Sequence, residues 1–192
     1  MRKNFWLFRH GETPRNKLKL IPGGELGDPK MDLLSDVGMA QAQELSLGLS
    51  GTPIEIIVSS DKPRAQQTGG VVATAQRIPM IVNAGLTEAN HGSMAGRPRA
   101  ELSKEQLAKY NSNSEPDFHF DGGETQMQIA TRAMNVLKEM AESKYNSIGI
   151  CSHGGVLRYL MGHYFGLVHE GALPNAVPYH VVYDNGVWSL EK

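Results

Sequence analysis

Strand-like and helix-like segments alternate along this sequence, and that alternation restricts the fold more than any other feature. The strand-like runs are short, apolar and rich in β-branched or aromatic residues, as expected for strands buried in a parallel sheet. They cover Phe5–Phe8, Ile54–Ser60, Pro79–Val82 and Ser147–Ser152. Segments with helix-capping residues and helical apolar spacing cover Ser35–Leu49, Asp61–Ala75, Met127–Ala141 and Val156–Phe165. The pattern predicts an α/β fold, a three-layer α/β/α sandwich with a mostly parallel central sheet.

Two segments depart from the alternation. Residues 92–121 are polar, contain two prolines and carry one possible helix from Arg99 to Tyr110, so we expect a lid or binding excursion outside the sheet. Near the end of the sequence, two strand-like runs flank Asp184-Asn185-Gly186, the composition of a tight hairpin turn. We expect a single domain over residues 1–192 that includes this excursion.

Composition limits the possible partners. The 192 residues include 19 basic and 20 acidic side chains, so the net charge gives no electrostatic reason to expect nucleic acid or a membrane surface as a partner. A single cysteine, Cys151, excludes an internal disulfide and a thiolate metal cluster. The first apolar run ends at Arg9, too early for a signal peptide, and no apolar stretch is long enough to span a bilayer. We therefore expect a cytoplasmic protein, and the sequence leaves its oligomeric state open.

Basic and imidazole side chains follow three of the predicted strands. Arg9 and His10 end the first strand, Arg64 comes shortly after the second, and His153 follows a later one. Because the carboxyl ends of parallel strands share one edge of a sheet, these groups can converge. Guanidinium groups match phosphate oxygens, and imidazole is a nucleophile that can accept a phosphoryl group. Glu88 is the natural candidate for the proton donor to the leaving oxygen.

Five short segments carry a more specific signal when they are taken together and in order. They are Arg9-His10-Gly11-Glu12-Thr13 with Asn16, Ser59–Thr68, Leu86-Thr87-Glu88, Gly122–Thr125 and Ser152–Gly155. Each is a modest motif, but the set resembles the histidine phosphatase superfamily, the phosphoglycerate-mutase-like proteins, over nearly the whole chain. The resemblance implies a phosphoglycerate-mutase-like fold and a reaction through a phosphohistidine that needs neither a metal nor another cofactor.

The resemblance also implies roles for individual residues. His10 matches the phosphorylated nucleophile of the family, and Glu88 matches its acid. The catalytic phosphate-holding groups would be Arg9, Arg64 and His153, and the further substrate-binding residues would be Asn16, Gly154 and Gly23. The loop that follows Asn16 is about five residues longer than is usual in the family, which makes Gly24 an alternative to Gly23.

The residues after Glu88 bear on the type of reaction. Phosphoglycerate mutases carry Arg-His at that point, where the arginine helps to hold the substrate carboxylate, whereas this chain has Ala89-Asn90. The polar excursion is also shorter than in those mutases. Both differences favour a phosphatase acting on a small phosphorylated metabolite. A phosphoglycerate-type mutase, a non-catalytic module that binds a phosphorylated ligand, and a phosphatase that docks on a phosphorylated protein stay open as alternatives.

The remaining titratable residues have simpler interpretations. The other histidines lack metal-ligand spacing and are predicted to be structural or surface residues: His91, His119, His163, His169 and His180. Several basic residues outside the motifs could contact substrate, but solvated surface charges are the favoured interpretation for Lys17, Lys19, Arg97 and Arg99. No glycine-rich segment has the nucleotide-binding P-loop pattern, so ATP is not expected as a ligand.

Overall fold

Six strands form one sheet in the order β3-β2-β4-β1-β5-β6. The computed structural model describes residues 2–23, 28–113, 115–169, 171 and 173–191. The strands are β1 (Arg2–Arg9), β2 (Ile56–Ser59), β3 (Met80–Val82), β4 (Ser147–Ser152), β5 (Pro178–Asp184) and β6 (Val187–Leu190). The pairs β1–β4, β2–β4 and β2–β3 are parallel, and the predicted hairpin of β5 and β6 adds antiparallel pairs beside β1. The prediction of a mostly parallel sheet is confirmed.

Helices cover both faces of this sheet. The α-helices are α1 (Pro14–Lys17), α2 (Asp36–Gly48), α3 (Pro63–Gln76), α4 (Lys104–Asn111), α5 (Gln126–Ala141) and α6 (Gly154–Phe165). Successive side chains of a strand point to opposite faces, so Leu7 joins the core beneath α5 and α6, whereas Phe8 joins the core beneath α2 and α3. The predicted three-layer sandwich is therefore present. No helix in the described part of the chain has the length and apolar character needed to cross a membrane.

Local sequence signals explain where these helices begin and how closely they pack. The Ser35 hydroxyl accepts a hydrogen bond from the Gly38 amide (3.1 Å) and caps α2, as predicted. Pro63 occupies the first turn of α3. Within α3, a Cβ atom on Gly69 would lie 3.1 Å from the Ile57 side chain, so glycine allows this helix to approach the sheet closely.

Residues 92–121, which we call the lid, have a small core of their own. It consists of Leu102, Tyr110 and Phe120 from the lid and Ile21 from the loop after α1, with partly buried Met94, Leu107 and Phe118. The helix predicted from Arg99 to Tyr110 is only partly correct. Residues Arg99–Glu101 form a 3₁₀ turn, and α4 begins later because Ser103 and Gln106 form a capping box.

The lid is joined to the loop after α1 by a short antiparallel contact. Leu20 and Pro98 form an isolated β-bridge. On either side of it, the Ile21 amide donates to the Arg97 carbonyl (2.9 Å) and the Arg99 amide donates to the Lys19 carbonyl (3.1 Å). These hydrogen bonds fix one edge of the lid beside the carboxyl end of β1.

Candidate active site

A cavity of about 260 Å³ opens at the edge of the sheet where β1, β2 and β4 end. Four of the predicted catalytic residues lie on its wall: Arg9, His10, Arg64 and Glu88. The rest of the wall is formed by Arg15, Asn16, Lys19, Leu20, Pro22, Arg99, Tyr110, Gly154, Gly155, Arg158 and Asn175. The fifth predicted residue, His153, contacts Glu88, and its ring centroid lies 5.2 Å from that of His10. As predicted, the carboxyl ends of neighbouring strands bring together side chains that are far apart in sequence.

His10 is only 2% exposed, and its imidazole is held in one orientation. Its Nδ1 lies 2.7 Å from the Gly11 carbonyl oxygen, which can only accept, so the proton belongs to Nδ1 and Nε2 carries the lone pair. Burial lowers the pKa of His10 well below its ordinary value, and the charges of Arg64 and Arg9 add to the effect. A neutral imidazole whose Nε2 carries a lone pair is the form that can attack phosphorus.

The backbone around His10 is fixed from two directions. The His10 amide donates to the Ser152 carbonyl at the end of β4 (3.0 Å). The His10 carbonyl accepts a hydrogen bond from Asn175 Nδ2 (2.7 Å), and the neighbouring Arg9 carbonyl accepts one from the Ala176 amide (3.0 Å). The segment between α6 and β5 therefore holds the strand end in place. Nothing in the sequence pattern indicated a role for Asn175.

Arg64 connects three groups of the site from the first turn of α3. Its Nε donates to His10 Nε2 (3.1 Å), and its Nη2 donates to Glu88 Oε2 (3.3 Å). Its Nη1 pairs with Asp32 Oδ1 (3.3 Å), which also pairs with Arg15 Nε (2.9 Å). Asp32, which the sequence analysis did not single out, thus partly neutralises two arginines near His10.

Arg9 approaches the same point along the start of α6. Its Nη1 donates to the Leu173 carbonyl (2.6 Å). A Cβ atom on Gly154 would lie 3.2 Å from Arg9 Nε, so glycine at this position allows the guanidinium to lie against the end of the helix. Gly154 also lies on the cavity wall, where it was predicted to contact substrate.

Glu88 and His153 complete a group of five side chains that we call the reacting cluster: Arg9, His10, Arg64, Glu88 and His153. The Glu88 side chain is 9% exposed; its Oε1 accepts from the Ala89 amide (3.0 Å), and its Oε2 lies 3.4 Å from His153 Nδ1. Burial alone would raise the pKa of Glu88, but Arg64, His91 and the Ala89 amide outweigh it and hold the pKa below its ordinary value. The carboxyl group is therefore ionised at neutral pH when the cavity holds no anion.

The ring of His153 is fixed on its other side by a serine from the end of β2. His153 Nε2 lies 2.7 Å from Ser60 Oγ, and the ring is fully buried. Burial, followed by the charges of Arg64 and Arg9, lowers the pKa of His153 well below its ordinary value. The ring is thus uncharged at neutral pH and presents Nδ1 towards the reacting cluster.

The cluster also has the outline of a metal site, because ligand atoms of His10, Glu88 and His153 lie within 4.8 Å of one another. The guanidinium of Arg64, however, already donates to both His10 and Glu88, and Arg9 adds a second positive charge to the same point. These charges favour an anion over a cation between the three side chains. The geometry therefore matches a phosphoryl group better than a metal ion.

Two predicted substrate contacts are placed differently from the rest. Asn16 lies on the cavity wall, but its Oδ1 caps α1 by accepting from the Thr13 amide (3.0 Å). Gly23 is not on the wall; it has a left-handed backbone (φ +97°), and its carbonyl accepts from Arg15 Nη1. Gly23 is a turn residue that orients Arg15, and its contact with substrate stays a prediction. The alternative, Gly24, lies outside the described residues.

The cavity wall includes further basic residues. The sequence predicted some of them as surface charges and did not single out the others. Lys19 and Arg99 are on the wall, although solvated charges were the favoured interpretation. Arg158 is buried and donates to the Tyr110 carbonyl (2.6 Å) and to Tyr159 Oη (2.9 Å), so it connects α6 to the lid. Helical spacing could have indicated it, because it lies one turn after Gly154.

Comparison with known proteins adds independent evidence. A family model described as "Histidine phosphatase superfamily (branch 1)" matches residues 5–192. Fructose-2,6-bisphosphatase TIGAR of Xenopus tropicalis is 32% identical over 162 residues, which are 78% of this chain and 57% of that protein. The chain thus spans little more than half the length of that relative. Adenosylcobalamin/alpha-ribazole phosphatase of Escherichia coli K12 is 28% identical over 187 residues, covering 96% of this chain and 87% of that protein.

A relative of a different name is similar over much of its length. Probable phosphoglycerate mutase GpmB of Proteus mirabilis is 30% identical over 190 residues, covering 95% of this chain and 86% of that protein. Among solved structures, a mycobacterial glucosyl-3-phosphoglycerate phosphatase superposes with a TM-score of 0.82 at 22% identity, covering 99% of this chain and 98% of that one. At this identity the superposition is evidence for the fold.

Proposed function

Because this chain belongs to the histidine phosphatase superfamily, we propose that it is a phosphatase that hydrolyses a small phosphorylated metabolite through a phosphohistidine on His10. The reaction needs no metal ion and takes place in the cytoplasm, the location expected from the sequence. The observation that carries the proposal is the state of His10. It is neutral, its proton is fixed on Nδ1, and its Nε2 lone pair lies beside Arg64 and opposite Glu88.

In the first step, His10 Nε2 attacks phosphorus in line with the leaving oxygen. The N–P bond forms as the P–O bond to the alcohol breaks, and Glu88 gives its proton to the departing oxygen. A phosphoryl oxygen takes over the Arg64 hydrogen bond that Nε2 accepts in the empty site. Arg9, Arg64 and His153 hold the phosphoryl oxygens as their charge redistributes in the transition state.

In the second step, water attacks the phosphohistidine. Glu88, now a carboxylate, accepts a proton from that water as the new O–P bond forms and the N–P bond breaks. Inorganic phosphate leaves, and His10 returns to its neutral form. The lowered pKa of Glu88 suits its role as a base in the second step. In the first step, the negative charge of the bound phosphoryl group raises the pKa of Glu88, so that it can act as an acid.

The alternatives have less support. A mutase needs a group that holds the second substrate function, and the arginine of the mutases is replaced here by Ala89. A binding module would not need the full set of His10, Glu88 and Arg64 in mutual contact. A phosphatase that acts on proteins needs an open site, whereas the lid narrows this cavity to about 260 Å³.

Hydrolysis of p-nitrophenyl phosphate in the presence of excess chelator tests the proposal. The wild-type protein is compared with His10→Ala and with a control, His119→Ala, whose exposed ring bonds only to the Asp117 carbonyl among the described hydrogen bonds. We expect turnover by the wild type and the control, none by His10→Ala, and an acid-labile, alkali-stable phosphoenzyme after rapid quench. A wild-type protein that is inert towards this good leaving group would refute the proposal.

A further inference from the structure

The outer wall of the cavity carries two cations that the reaction described above does not use. The pairing between the lid and the loop after α1 places Lys19 and Arg99 next to each other, because the Arg99 amide donates to the Lys19 carbonyl (3.1 Å). Both residues lie on the wall of the cavity that contains His10. Two segments 80 residues apart thus bring positive charge to one place at the mouth of the site.

The guanidinium of Arg99 is held in position by uncharged groups of the described chain. Its Nε donates to the Leu20 carbonyl (3.3 Å), and its Cζ lies 5.5 Å from the centroid of the Tyr110 ring. Within the described residues, the ion pairs include neither Arg99 nor Lys19. Arg97, two residues away, is instead exposed and paired with Glu101. A rigid arginine without a carboxylate partner is suited to bind an external anion.

The backbone of Lys19 adds a second sign of function. Its φ of +53° lies in the left-handed region, which a lysine rarely adopts. Strained backbone of this kind clusters at ligand-binding sites, where surrounding contacts hold it. Here the hydrogen bond from Arg99 to the Lys19 carbonyl and the adjacent β-bridge provide those contacts.

The balance of charge also exceeds what one phosphate needs. Among the described residues, the wall carries six cations and one acid, Glu88; the cations are Arg9, Arg15, Lys19, Arg64, Arg99 and Arg158. A phosphate monoester brings at most two negative charges, and Arg9 and Arg64 face it at the reacting centre. Arg15 pairs with Asp32, whereas no carboxylate in the described part of the chain pairs with Lys19 or Arg99 at the mouth.

We propose that Lys19 and Arg99 form a second anion subsite, so that the preferred substrate carries a carboxylate or a second phosphate besides the phosphoryl group that His10 attacks. The position of that first group rests on the proposed function. This subsite differs from the arginine that follows the acid in phosphoglycerate mutases, because here that position is Ala89 and the charges come from the lid and the loop after α1.

A series of synthetic substrates with one kind of scissile phosphate tests the subsite. Linear alkyl phosphates of three to six carbons end in a methyl group, a carboxylate or a second phosphate. We expect kcat/KM to be about tenfold to a hundredfold higher for the best compound with a second anion than for its methyl counterpart, the size of a hydrogen bond to a charged group. The carboxylate and bisphosphate arms identify the favoured anion.

The ratio of these two kcat/KM values, rather than either alone, reports on the subsite. In Arg99→Gln combined with Lys19→Gln, the ratio should fall to near one, while Arg97→Gln keeps the wild-type ratio. A wild-type ratio near one at every chain length would overturn the proposal, as would a double variant that loses activity on all compounds equally.

Calorimetric titration separates this outcome from failure of the proposed function. The same compounds are titrated into wild type and the double variant, and the ratio of Kd values replaces that of kcat/KM. A protein that turns over nothing but binds the two-anion compounds at least tenfold more tightly refutes the phosphatase and supports the subsite. A protein that hydrolyses alkyl phosphates without preference does the reverse.

Discussion

Replacing Glu88 by glutamine removes the proposed proton donor and keeps a side chain of nearly the same size and shape. The amide oxygen of the glutamine can still accept the hydrogen bond that the Ala89 amide donates to Glu88 Oε1 (3.0 Å). The negative charge beside Arg64 and His153 is lost. Two effects follow, one on the chemical step and one on the binding of anions, and they have opposite signs.

The chemical effect depends on the leaving group. An alkoxide cannot depart without a proton, so E88Q should slow formation of the phosphoenzyme from an alkyl phosphate about 10²-fold to 10⁴-fold, the range of general acid catalysis. Nitrophenolate is stable as an anion, so formation of the phosphoenzyme from p-nitrophenyl phosphate should slow by less than about tenfold. Hydrolysis of the phosphoenzyme, in which Glu88 is the proposed base, should slow equally for both substrates. The ratio of the two losses is the quantity that identifies an acid.

The binding effect can be scaled from the ion pair with Arg64. At 3.3 Å, two unit charges attract by about 5 kcal/mol at an effective dielectric constant of 20, before the cost of desolvation is counted. Removing Glu88 makes a large part of that positive potential available to a ligand. We expect inorganic phosphate to bind E88Q about tenfold to a hundredfold more tightly than wild type.

The assay measures the pre-steady-state rate of phosphoenzyme formation from both substrates, together with the inhibition constant for inorganic phosphate, at one ionic strength. Equal losses of that rate on the two substrates would show that Glu88 does not supply the proton. Weaker phosphate inhibition in E88Q would show that the electrostatic reasoning is wrong, even if the kinetic losses match.

Three further predictions concern the groups around the nucleophile. Arg64→Lys removes the planar donor that contacts both His10 and Glu88, so kcat should fall about 10²-fold to 10³-fold on aryl and alkyl phosphates alike. The circular dichroism spectrum should stay unchanged, and a loss of activity confined to one substrate would contradict the prediction. Asn175→Ala removes the donor to the His10 carbonyl, so kcat should fall about tenfold with little change in KM, and unaltered kcat would show that this bond does not position the ring. Unfolded histidines protonate near pH 6.5, whereas burial lowers the pKa of His91 to about 4, so the unfolded state binds more protons between these values. His91 alone should therefore lower the free energy of unfolding by about 3 kcal/mol as pH drops from 6.5 to 4, and urea titrations that give a flat profile there would refute its assignment as a buried neutral ring.

Most of the reacting cluster could be predicted, because Arg9, His10, Arg64 and His153 lie at a strand end or shortly after one. Apolar runs and capping residues are local signals, and they located β1, β2 and β4 and the helices that follow them. The rule that parallel strands share one edge then brought Arg9, Arg64 and His153 together without any knowledge of their distances.

The remaining parts of the site depend on contacts between loops, for which the sequence has no comparable rule. Asn175 reaches the His10 carbonyl from 165 residues away, and Lys19 meets Arg99 through a single β-bridge next to them. The lid and the loop pair irregularly, so their contacts follow neither the two-residue repeat of apolar side chains in a strand nor the 3.6-residue repeat in a helix. Solvated surface charges were therefore the natural interpretation of Lys19 and Arg99, and only the fold moved them to the cavity wall.

The central place of β1 in the sheet has a consequence for how the protein acquires its shape. Asn4 pairs with Ser147 on one side and with Val182 on the other, so both neighbours of this strand come from the last third of the chain. Such distant pairings close large loops and slow folding, and an apolar strand that lacks its neighbours is prone to aggregation. During synthesis, β1 and His10 emerge long before the strands that hold them. Catalytic competence is therefore the final step of maturation, and a ribosome-bound chain that ends within the lid would have no activity.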